Sequence, residues 1–126
     1  MTSRVLEESH ADMVTALKKS GAALGETLTD HKIDAWHGAT GVCTEAGELL
    51  DAMKKYVVYN KPLDRENVIE ELGDLEFYME MVRQSFGIRR VETLAGNMTK
   101  LAQRYKNFVY TDQQAQDRAD KAGGGV

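Results

Sequence analysis

The apolar residues of this chain recur at intervals of three and four almost throughout, and that spacing admits helices and little else. The clearest run is Val68, Leu72, Leu75, Met79, Val82 and Phe86. Before it stand Ala39, Val42, Ala46, Leu49, Met53 and Val57, and after it Val91, Leu94, Met98, Leu101, Tyr105 and Phe108. In the first segment Leu6, Met13, Val14, Leu17, Leu24 and Leu28 share a face, which Gly21 and Gly25 break or end. No segment reads as a strand. One proline, Pro62, and few aromatics agree with long helices.

Local signals set the boundaries. Thr29 is placed to cap a second helix that reaches about Val58, and Asn60-Lys61-Pro62 closes it. Asp64 caps the third, and Gly87 ends it. Four amphipathic helices with short connections predict an all-α, four-helix bundle-like fold, a single domain over 1–110 followed by a polar tail over 111–126 that finishes in Gly123-Gly124-Gly125. Ile69, Phe77, Leu50 and Cys43 lie outside the apolar seams. That surplus predicts a subunit interface, although a broad internal core stripe explains any one helix equally well.

Bulk properties remove several function classes. A net charge of -4 and a pI near 5.4 give no electrostatic basis for nucleic-acid binding. No apolar stretch approaches the length of a membrane span, and no signal-peptide core follows Met1-Thr2-Ser3-Arg4, so a cytoplasmic protein without membrane partners is expected. Cys43 has no internal disulfide partner, which fits a reducing compartment, and it is expected as a small buried apolar residue.

The chemistry is concentrated in a cassette that occurs twice, Glu45-Ala46-Gly47-Glu48-Leu49 and Glu71-Leu72-Gly73-Asp74-Leu75. Each copy sets two carboxylates three residues apart, on one helical face, around a glycine that removes a side chain where a neighbouring helix or ligand would approach. An acidic pair on one helix is commonly just a solvated face. The repeated glycine argues otherwise, because an interior glycine costs about 1 kcal/mol relative to alanine. If the two helices face one another, four acids converge, and like charges about 4 Å apart repel by roughly 4 kcal/mol at an effective dielectric near 20. A divalent cation removes that penalty. An all-oxygen donor set with no cysteine and no Glu-x-x-His pair suits Mg²⁺ or Mn²⁺.

Cations follow at useful positions. Asn97, Lys100 and Arg104 fall on one stripe of the last helix with Tyr105 beside it, and Lys54 and Lys55 lie about two turns after Glu48. Such stripes are often merely solvated, but opposite a Mg²⁺ cluster they make a polyphosphate ester the natural substrate. His37 lies two turns before Glu45, within reach of a bound substrate, although a surface or partly buried histidine accounts for it as readily. Trp36 is expected in a core or interface. No Gly-x-x-x-x-Gly-Lys-Ser/Thr loop and no Gly-x-Ser-x-Gly elbow is present.

With these residues in hand, the chain resembles the MazG-like, all-α nucleoside triphosphate pyrophosphohydrolases. The stretches that carry the resemblance are Thr44-Glu45-Ala46-Gly47-Glu48, Glu71-Leu72-Gly73-Asp74, Asn97-Met98-Thr99-Lys100-Leu101 and Arg104-Tyr105, supported by Trp36-His37-Gly38 and Tyr59-Asn60-Lys61-Pro62-Leu63-Asp64. The resemblance implies Mg²⁺ held by Glu45, Glu48, Glu71 and Asp74, and cleavage of a nucleotide between its α- and β-phosphates. It also implies phosphate contacts from Lys100 and Arg104 with Asn97 nearby, and a homodimer or homotetramer whose neighbouring subunit roofs the site. Thr44 stands where the family pattern has a first glutamate, which is expected to alter support of the site rather than abolish activity. Two rivals remain on the same helices: a non-catalytic nucleotide or metal binder, and a helical dimerisation module.

Overall fold

The computed structural model describes residues 1–121, so the glycines expected to end the tail lie outside the described residues. Every regular element among the described residues is helical: α1 (Ser3–Leu17), α2 (Gly21–Gly25), α3 (Asp30–Val57), α4 (Arg65–Phe86), α5 (Arg90–Arg104) and α6 (Asp112–Asp117), with a 3₁₀ turn at Lys106–Phe108. They fall into two compact units, Met1–Ile33 and Asp34–Val126.

In the first unit the expected single face from Leu6 to Leu28 is divided between two helices. Lys18 takes an extended backbone, and the Ser20 hydroxyl then accepts from the Ala23 N–H at 3.1 Å, so Gly21 begins α2 rather than ending α1. Thr29 caps as its sequence suggests, accepting from the Lys32 N–H at 3.3 Å.

The second unit is organised by α3 and α4. Gly38 lies against Val82, Gly41 against Tyr78 and Glu45 near Asp74, the register of an antiparallel helical hairpin. Both Gly38 and Gly41 are buried, and a Cβ on Gly41 would overlap the Tyr78 ring. These glycines therefore let the two backbones approach. At the closed end of the hairpin Asn60 turns the chain with φ 50°, and the Asp64 carboxylate accepts from the Asn67 N–H at 3.0 Å to start α4. At the other end Gly87, φ 63°, terminates α4 in the left-handed region.

The beginning of α5 is tied to α4 through charge. Glu76 accepts from Arg90 at 3.3 Å and lies 3.7 Å from the buried Arg83, whose Nε donates to Glu80 at 2.7 Å. Between α3, α4 and this junction runs a largely apolar groove of about 410 Å³ lined by Ala39, Val42, Met79, Val82, Ile88 and Thr93, with Arg83 the one charged residue in its wall. Ala39, Val42, Met79 and Val82, expected in the apolar seams, thus line an open groove, and among the described residues Ala52 is the one buried apolar side chain.

Two further expectations are corrected here. Cys43 is exposed, because its position on α3 falls on the face turned away from α4. The last long helix stops at Arg104, since Tyr105 is extended and Asn107 is left-handed at φ 55°. The polar stretch after Tyr110 is structured over residues 111–121: Thr111 caps α6 by accepting from the Gln114 N–H at 3.2 Å, and Gln114 in turn accepts from the Lys106 N–H at 2.8 Å.

Candidate metal and nucleotide site

One turn from the close approach at Gly41, α3 carries Glu45 and α4 carries Glu71 and Asp74. One carboxylate oxygen from each lies within 4.8 Å of the others. Glu45 and Glu71 are half-buried and Asp74 is exposed. Desolvation first, then the negative charges of Glu45, Glu48, Asp74 and Glu70, push the Glu71 carboxyl above the usual glutamate range. Three oxygen donors of like charge drawn together at a half-buried helix junction are the donor chemistry of a hard divalent cation.

Glu48 is exposed and outside that triad, yet its charge acts both on Glu71 and on Lys55. The two cassette glycines do not do what their placement suggests within one chain. A Cβ on Gly47 or Gly73 would meet nothing within 4 Å. Thr44, in the position of the pattern's first glutamate, turns its hydroxyl to its own helix and donates to the Gly41 carbonyl at 3.0 Å.

The cationic and aromatic candidates are distributed differently. Lys55 is paired with Asp51 at 2.8 Å, which raises the lysine pKa and lowers that of the aspartate, and Lys54 sits 5.5 Å over the Tyr59 ring. His37 is exposed, its ring 6.1 Å from that of Tyr78, and no hydrogen bond or ion pair brings it to the acids. Asn97 and Lys100 are exposed on α5, and Lys100 has no ion pair among the described residues. Tyr105 is half-buried with its ring 5.5 Å from that of Tyr110. Arg104 is engaged by Asp120, a carboxylate that no local sequence signal links to α5. Trp36 is 71% exposed and therefore no core residue in this chain.

These features define an all-helical protein with a carboxylate cluster fitted to a divalent cation. The profile of the MazG nucleotide pyrophosphohydrolase domain matches residues 39–109, more than half of the chain and the stretch that contains most of the hairpin, the acids and the α5 stripe. The chain belongs to that family. A protein of Synechocystis sp. named prenyl transferase is 43% identical to it over 60 residues, 48% of this chain and 18% of that protein. The chain thus spans about a fifth of the length of that relative. No solved structure matches it.

Proposed function

We propose that the protein hydrolyses a nucleoside triphosphate between its α- and β-phosphates, giving the monophosphate and pyrophosphate. The observation that carries this reading is the convergence of Glu45, Glu71 and Asp74 from two antiparallel helices. These three hold Mg²⁺, or Mn²⁺ in its place, and Glu48 adds a fourth negative charge beside Glu71. When bound, the cation supplies positive charge against the phosphate oxygens and makes water in its coordination shell more acidic. A cluster carboxylate orients the attacking water and takes its proton, while Lys100 and Arg104, with Asn97, receive phosphate oxygens and Lys54, Lys55, His37 and Tyr105 border the nucleotide. The P–O–P bridge breaks as water adds across it.

A panel of ribo- and deoxynucleoside triphosphates, with guanosine tetraphosphate included, tests the reading through pyrophosphate release. At least one nucleotide is expected to be cleaved, only when Mg²⁺ or Mn²⁺ is present. No release from any of them, together with no cation-induced rise in melting temperature, would leave a dimerisation module as the better account. Lys100→Ala is expected to raise KM roughly ten- to a hundredfold, a lost charge-assisted contact being worth roughly 1.5–3 kcal/mol, and to leave the Mg²⁺-induced thermal shift intact.

The reading includes a second subunit. Leu50 is 69% exposed, Phe77 65% and Met98 62%, positions on three different helices. A neighbouring copy that covers such faces excludes water from acids that otherwise stand at the edge of the hairpin. Sedimentation is expected to show at least a dimer at micromolar concentration, with specific activity falling on dilution below its dissociation constant. A fully active monomer would remove the shared site and leave the carboxylate chemistry untouched.

A further inference from the structure

The guanidinium of Arg104 is held by two parallel hydrogen bonds to one carboxylate. Its Nε donates to Asp120 Oδ1 at 2.7 Å and its Nη2 to Asp120 Oδ2 at 3.0 Å. A bidentate fork of this kind fixes both the position and the plane of the group. The Asp120 side chain is 2% exposed and that of Arg104 17%, in a chain where most apolar side chains lie open to solvent. The Arg104 hydrogen bond holds the Asp120 carboxyl below its ordinary range, so the fork stays charged at neutral pH.

Asp120 reaches Arg104 through a folded segment, not a stray tail. α6 is capped by Thr111 and closed by Arg118 in the left-handed region at φ 48°. Gln114 binds the backbone of Lys106, and the rings of Tyr105 and Tyr110 lie 5.5 Å apart on the intervening turn. Lys106 and Tyr105 lie within the family match, but the segment that folds onto them, Tyr110 to Asp120, follows residue 109, where that match stops. Two of the five N–H donors of Arg104 are spent on Asp120, and Tyr105 also hydrogen-bonds the guanidinium, so its remaining N–H groups face a surround that already holds it from two sides.

We propose that Asp120 is a positioning residue: residues 111–120 fold back on α5 to hold the Arg104 guanidinium in one orientation, as a preset seat for phosphate oxygens of the nucleotide. The proposal rests on the reading of Arg104 as a phosphate contact. Its physical content is that a long cation already ordered by the protein loses less side-chain freedom when it grips an anion. The opposite possibility has the opposite sign. If Asp120 only neutralised Arg104, removing its charge would free the arginine and tighten anion binding.

Calorimetric titration of the full chain with inorganic pyrophosphate in Mg²⁺ buffer separates them. Asp120→Asn is expected to weaken pyrophosphate binding roughly tenfold, the scale of one charge-assisted hydrogen bond, while Asp120→Glu restores part of the loss. The Mg²⁺-induced thermal shift should be the same in wild type and both variants. Arg104→Lys, which keeps the charge and loses the fork, should weaken binding as much as Asp120→Asn, and the double variant no more than either. If Asp120→Asn loses its helical circular-dichroism signal, Arg104→Lys and Asp120→Glu carry the test. Binding by Asp120→Asn as tight as wild type, or tighter, would overturn the positioning role alone. A wild-type protein that binds no pyrophosphate and cleaves no nucleotide would overturn the functional reading and the seat with it.

Discussion

Glu71→Gln is expected to lower metal-dependent pyrophosphate release by about a hundredfold or more, beyond the 10–100-fold range seen when groups merely supporting metal ligands are removed, and at the same time to raise the melting temperature of the cation-free protein. The two effects have one origin. Glu71 is the member of the cluster whose carboxyl is pushed upward, by its own desolvation and by four neighbouring acids. A carboxyl whose folded-state pKa lies above its unfolded value binds its proton more readily in the folded chain, so stability is lost as pH rises from the ordinary value of 4.5 through the raised one. Once the pH is well above the raised pKa the whole loss is present. Glutamine keeps the shape, removes the charge and abolishes it, so the variant's melting temperature should vary less as pH rises above 4.5. Mg²⁺ should then stabilise the wild type markedly and Glu71→Gln hardly at all. Full activity in the variant, or an unchanged cation response, would take the cluster out of the chemistry.

The readings that the structure bears out are those written in local sequence. Thr29, Asp64 and Gly87 act through bonds to residues within four positions of themselves, and each bounds its helix as expected. Of the four acids expected to converge, Glu45, Glu71 and Asp74 do so, because Glu71 and Asp74 share one face of α4 and the turn at Asn60 brings α3 back against it, while Glu48 stays outside. What depended on register or on distant partners was not legible. The repeated glycines drew attention to Gly47 and Gly73, yet Gly38 and Gly41 are the ones that α4 packs against, since the crossing falls there. Arg104 reads as a free cation until Asp120, sixteen residues on, is brought to it by a polar six-residue helix that has no apolar period of its own. The stop at Arg104 likewise follows from the left-handed backbone of Asn107, which neither glycine nor proline announces.

Gly41→Ala is expected to lower the melting temperature by roughly 5–10 °C even though alanine is the better helix former, and to weaken the response to Mg²⁺. Alanine in a helix interior gains up to about 1 kcal/mol over glycine, whereas forcing an extra methyl into a packed contact costs about 1–3 kcal/mol. At Gly41 the second term wins, because the added carbon would enter the Tyr78 ring, and that ring is braced edge-on by Phe77 at 5.1 Å and lies beside His37. Gly38→Ala should act in the same direction but less, its Cβ meeting the Val82 side chain at 2.8 Å and backbone at 3.2 Å. Gly47→Ala and Gly73→Ala, whose new methyls meet nothing within 4 Å, isolate the propensity term and should raise the melting temperature of the single chain by a few degrees. The functional consequence follows from position: Glu45 is one turn beyond Gly41, so a wedge there moves it away from Glu71 and Asp74 and loosens the cluster. Tyr78→Ala in the Gly41→Ala background removes the clash, and the double variant should be more stable than the two single losses added together predict. A Gly41→Ala protein that melts at or above wild type, with an undiminished cation response, would show that the α3–α4 approach does not set the geometry of the acids.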